Sequence, residues 1–92
     1  MRYFRTELFK RTYQSLDPAR KKRIDRALLQ LEVLYSESQR PFGMGLKALR
    51  SGIWEIRAGL ADRIVFHRQG DTVELLLVGN HDEVRRLLKR LS

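Results

Sequence analysis

Ninety-two residues make one domain with no room for a second, and at 42% hydrophobic the chain can fill one modest core. Nineteen Lys+Arg against eleven Asp+Glu leave a net charge of +8, a field that suits polyanions: RNA, DNA, an anionic membrane surface or an acidic protein. The lack of cysteine excludes a disulfide framework, a thiolate metal site and a Cys nucleophile, and His67 and His81, without HExxH spacing, argue against a catalytic zinc centre.

Arg2 to Arg5 alternate charged and aromatic in part and read as a short strand. Phe9, Tyr13 and Leu16 then recur four and three apart, a helical stripe with Thr6 as its N-cap. Asp17-Pro18 restarts the chain, a capping residue followed by the one residue that loses nothing at the first helical position. Ile24, Leu28, Leu31 and Tyr35 predict a long amphipathic helix from Pro18 to Tyr35. Its first half carries Arg20, Lys21, Lys22, Arg23 and Arg26, the densest basic run in the chain. Pro41, Gly43, Gly45 and Gly52 mark a loop, within which Leu46 to Arg50 reads as one helical turn.

Three strands are expected next. Ile53 to Ala58 places Trp54 and Ile56 on one face with Glu55 and Arg57 on the other. Ala61 to Arg68 sets Ile64 and Phe66 opposite Arg63, Val65 and His67, and the mainly apolar Thr72 to Val78 reads as the most buried strand. Ala58-Gly59-Leu60 and Gln69-Gly70-Asp71 are hairpin-length links, so the strands form an antiparallel meander. After Gly79-Asn80, the spacing of Val84, Leu87, Leu88 and Leu91 predicts a last helix over Asp82 to Ser92 that packs on the sheet. The expected fold is α+β, one domain over residues 1–92: a small antiparallel sheet with an N-terminal helical hairpin and a C-terminal helix. Two layers would leave Glu55, Arg57, Arg63 and His67 on the open sheet face. The longest apolar run, Leu75 to Val78, falls far short of the ~20 residues of a membrane span. With no apolar leader either, a cytoplasmic location without membrane association is expected.

This order of elements resembles the RelE/ParE family of bacterial toxin–antitoxin toxins. The residues that carry the resemblance begin with Gly45-Leu46-Lys47-Ala48-Leu49 and Gly52-Ile53-Trp54-Glu55-Ile56-Arg57. They continue through Arg63-Ile64-Val65-Phe66, Gly70-Asp71 and Val78-Gly79-Asn80-His81-Asp82-Glu83. The resemblance implies a small basic toxin neutralised by a cognate antitoxin, whose acidic segment the positive field would attract. One branch of that family cleaves mRNA on the ribosome without a metal or other cofactor. Another inhibits DNA gyrase and hydrolyses nothing, and a third possibility is a chain that has lost toxicity and only binds nucleic acid or antitoxin. Fold does not choose among them.

Metal-free RNA cleavage needs a group to take the 2′-hydroxyl proton, cations to stabilise the phosphorane and an acid for the departing 5′-oxygen. Arg63 matches the arginine of the family's strand motif, and a guanidinium holds two phosphate oxygens at once. Arg57 offers a second phosphate ligand and Glu55 a general base, or else Glu55 pairs with Arg63 as an ordinary ion pair. These positions carry Lys-x-Lys in the best-known ribonucleases of the family, which weakens a borrowed mechanism. His81 stands where the family places a C-terminal acid/base residue, and imidazole titrates near neutrality. With no tyrosine after Tyr35, His81 would take the role that a terminal tyrosine has in several relatives. Lys47 and Arg50, beside the strand entrance, and Arg20 and Lys22, within the helical basic run, are candidate contacts to RNA backbone; the bland reading of that run is a solvated helix face.

Overall fold

The computed structural model describes residues 1–39 and 43–91, so Pro41 of the expected loop and Ser92 at the end of the last helix lie outside the described residues. The chain runs β1 (Arg2–Arg5), α1 (Glu7–Gln14), α2 (Pro18–Glu37), β2 (Lys47–Arg50), β3 (Ile53–Arg57), β4 (Arg63–Gln69), β5 (Thr72–Gly79) and α3 (His81–Arg90).

Both N-terminal helices start where their capping residues dictate. The Thr6 hydroxyl accepts from the Phe9 amide at 3.1 Å and donates to the Leu75 carbonyl at 3.0 Å, so one side chain both caps α1 and fixes it to β5. Asp17 accepts from the Arg20 amide at 2.8 Å with Pro18 in the first helical turn. α2 continues two residues beyond Tyr35 and ends at Ser38, in the left-handed conformation with φ 54°. The stripes of the hairpin, including Phe9, Leu16, Ile24, Ala27 and Leu31, pack on Ile56, Ile64, Phe66, Val73, Leu75 and Val78 of the sheet. Full burial of each large apolar side chain is worth about 1.5–3 kcal/mol, and this is the main core.

The sheet has the order β1-β5-β4-β3-β2. β3, β4 and β5 form the expected antiparallel meander. The sheet as a whole is mixed, because β1 lies parallel to β5 from Arg2↔Thr72 to Arg5↔Leu75. The second departure is β2: residues 47–50 form an edge strand and not a helical turn. Lys, Ala, Leu and Arg all favour helix, but the free edge of β3 offers partners for their backbone, with Lys47 opposite Glu55 and Ala48 opposite Trp54.

The third departure is a third layer. α3 crosses the sheet face left open in the two-layer expectation, and Val65, Leu77, Val84 and Leu87 form a second, smaller core there. A bulge makes this possible. Val65 pairs with Leu77 and Phe66 with Leu75, so Leu76 is extra, and Leu76 and Leu77 both face the α3 layer while Leu75 and Val78 face the hairpin. Among the described residues no helix is long and apolar enough to cross a membrane.

Candidate active site

Strand alternation puts Glu55 and Arg57 of β3, and Arg63 and His67 of β4, on the face that α3 crosses. Register then decides which of them meet. Lys47 of β2 stands directly opposite Glu55. Arg63 is one step diagonal to Glu55, and its Nε donates to Glu55 Oε2 at 3.0 Å. Glu55 is only 7% exposed, and the carboxylate is tolerated there because the guanidinium pairs with it.

Arg63 also pairs across the sheet with Gly79, the last residue of β5. α3 begins two residues later, so its first residue, His81, arrives beside Arg63. A capping box fixes the turn: Asn80 Oδ1 accepts from the Glu83 amide at 2.9 Å, and Glu83 Oε1 accepts from the Asn80 amide at 3.0 Å. Gly79 has to be small here, since a Cβ would fall 2.9 Å from the Glu83 Cβ. One helical turn beyond His81, Arg85 returns to the same side.

The outcome is a hollow of about 390 Å³ between the sheet and α3. Lys47, Glu55, Arg63, His81 and Arg85 supply its polar lining, with Leu49, Val84 and Leu88 between them. Three permanent cations face one carboxylate, and an exposed imidazole stands at the rim. Such a set can hold a phosphodiester and move a proton beside it. Lys47, Glu55, Arg63 and His81 were legible as candidates in the sequence. Arg85 was not singled out as a site residue; its i+4 spacing from His81 was the available signal.

The other candidates stand elsewhere. Arg57, although the cross-strand partner of Arg63, is outside the hollow's lining: its aliphatic chain lies over Gly45, where a Cβ would fall 2.7 Å from the Arg57 Cγ. Arg50 is exposed at the far end of β2, opposite Ile53. Arg20 and Lys22 belong to α2, on the other side of the sheet. Arg20 is an anchor for a buried carboxylate: its Nε and Nη2 donate to Asp62 Oδ2 and Oδ1 at 2.9 and 2.7 Å. These bonds hold the Asp62 carboxyl below its usual range although burial works the other way. Lys22 is solvent-exposed on α2. His67 is half-buried, with its ring over Gly52, where a Cβ would meet it at 3.0 Å.

No protein-family model matches the chain, and no curated protein matches it either. Solved structures do. A copper-bound mutant toxin from Helicobacter pylori superposes with a TM-score of 0.70 at 15% identity, covering 91% of this chain and 98% of that one. A chain of the RelB–RelE antitoxin–toxin complex from Methanococcus jannaschii gives 0.67 at 17% identity, with 91% and 96% covered. The YoeB/ParE toxin from Agrobacterium tumefaciens gives 0.65 at 19%, with 88% and 99% covered. The hairpin, the five-stranded sheet and the helix that closes the hollow are thus arranged as in these proteins, and the chain has the RelE/ParE-like toxin fold.

Proposed function

We propose that this chain is the toxin of a toxin–antitoxin pair and that it cleaves mRNA on the translating ribosome, with the hollow beneath α3 as its active site. The observation that carries this reading is the convergence of Lys47, Arg63 and Arg85 with His81 from three separate elements. In the reaction, the 2′-oxygen attacks the adjacent phosphorus and the bond to the 5′-oxygen breaks. A 2′,3′-cyclic phosphate and a free 5′-hydroxyl result. Charge gathers on the non-bridging oxygens, and the cations of the hollow stabilise it.

Arg63 is the central phosphate ligand. Its Nε is held by Glu55, which aims the remaining guanidinium nitrogens. Glu55 is therefore a positioning residue in this reading and not the general base. His81 delivers a proton to the departing 5′-oxygen, a transfer suited to a ring whose nitrogens can both donate and accept a proton. The hollow contains a single imidazole, so the 2′-hydroxyl proton leaves to a group of the ribosome–mRNA complex. That division of labour accounts for a dependence on the ribosome. An antitoxin partner is supported by relatives of this fold that were solved in antitoxin complexes.

Induction in cells, with mapping of mRNA ends, tests the reading. Translation should stop, and cuts should fall in phase with codons. His81→Ala, at an exposed position, should leave the thermal melt unchanged and slow cleavage ~10²–10⁴-fold; Arg63→Ala should also abolish growth arrest. Growth arrest with intact mRNA, or DNA-damage signalling in its place, refutes the proposal.

A further inference from the structure

We propose that the outer face of α3 is a track for the RNA strand flanking the scissile bond, with Arg85, Lys89 and Arg86 each holding a phosphate. This rests on the nuclease reading of the hollow and extends it beyond the cut. Arg85 belongs to both surfaces, because it lines the hollow and is solvent-exposed on α3. Lys89 follows it by four residues, a rise of ~6 Å along the helix, comparable to the spacing of successive phosphates in an extended strand. Beside it, Arg86, Lys89 and Arg90 surround a second depression of about 460 Å³.

The charges here are uncompensated. Among the described residues, Arg85, Arg86, Lys89 and Arg90 form no side-chain ion pair. The helix's two acids sit in its first turn, and Glu83 is committed to the capping box. Lys89 and Arg90 also suit the negative end of the helix dipole, but Arg85 and Arg86 lie a turn earlier and owe their placement to no such effect. Beyond His81, α3 carries no aromatic side chain to stack on a base, so its cations would grip a strand through its phosphates, whatever the bases.

The test uses the full chain and a short single-stranded 2′-O-methyl RNA, which binds but has no 2′-hydroxyl to react. Its affinity is measured across a salt series for the wild type, for Arg86→Gln/Lys89→Gln, and for Lys22→Gln/Arg26→Gln on α2. Both double variants remove equal charge from exposed helical positions, and glutamine is a good helix former. Each phosphate contact contributes ~0.7 to the slope of log affinity against log salt for single strands. The α3 variant should therefore flatten the slope by ~1.4, while the α2 variant should leave it close to wild type. Equal effects of the two variants would mean a general field and no track, and would overturn the proposal. So would an α3 variant that keeps wild-type RNA binding but no longer binds a polyglutamate peptide, the signature of an acidic protein partner. Because the probe is not cut, failure here is distinct from failure of the nuclease reading, which shows as intact mRNA on induction.

Discussion

Glu55→Gln separates two roles for the carboxylate beneath Arg63. The pair is 3.0 Å across and largely shielded, with side-chain exposures of 10% and 21%. Two unit charges about 4 Å apart attract by ~4 kcal/mol at an effective dielectric of ~20, but desolvation of both ions offsets most of that. A net loss of about 1–2 kcal/mol in folding stability follows, of the order of a charge-assisted hydrogen bond. The glutamine oxygen can still accept from the Arg63 Nε, so the guanidinium stays aimed but less tightly held. A loss of about 1.4 kcal/mol in the transition state corresponds to ~10-fold in rate. The assay is cleavage of a programmed mRNA by purified chain in a translating extract, followed across pH. The expected result is kcat down ~10-fold, KM no higher because the hollow becomes more cationic, and a pH profile of unchanged shape. A general base would behave otherwise. Loss of ~10²–10⁴-fold together with the acidic limb of the profile would refute the positioning role.

Asp62 predicts a pH effect on stability. Its carboxyl titrates below its ordinary value in the fold because Arg20's hydrogen bonds outweigh burial. The pair's contribution is therefore complete above the ordinary carboxylate range and lost as pH falls through it towards the lower folded value. Asp62→Asn should lower the urea midpoint at pH 7 and flatten its fall towards pH ~3; an unchanged acid dependence would remove the pair from the account. Gly52→Ala should cost about 1–2 kcal/mol, since the residue sits at φ +75° and a Cβ would meet the His67 ring at 3.0 Å. A guanidinium chloride midpoint equal to wild type would contradict this. Asn80→Ala should cost about 1 kcal/mol and slow cleavage as well, because the cap sets the start of α3 and so the place of His81. Stability lost with full activity retained would show that His81 does not depend on the cap.

What the sequence disclosed was local. Thr6 and Asp17-Pro18 start helices through bonds to amides three residues on, and such bonds are readable from a short window. Alternation in β3 and β4 likewise separated Ile56, Ile64 and Phe66 from Glu55 and Arg63. Non-local pairings were not readable. β1 lies beside a strand some seventy residues away, and residues 47–50 are helix formers held extended by an edge. The run Leu75-Leu76-Leu77-Val78 has no alternation to betray a bulge, so the last helix was expected on the sheet but the second core beneath it was hidden. The same limit governs the site. Arg20 read as a candidate contact to RNA backbone or else a solvated cation, but its partner Asp62 lies 42 residues away. Arg85 was not a candidate, because only the fold sets α3 beside Lys47 and Arg63.

The parallel pairing of the first strand with the fifth has a consequence for biosynthesis. Protein chains emerge from their N-termini, and Arg2–Arg5 gains its partner only once Thr72–Gly79 has been made. His81 and Arg85 are made later still. A nascent copy therefore completes the five-stranded sheet only with its fifth strand, and the polar lining of the hollow only once Arg85 has been made.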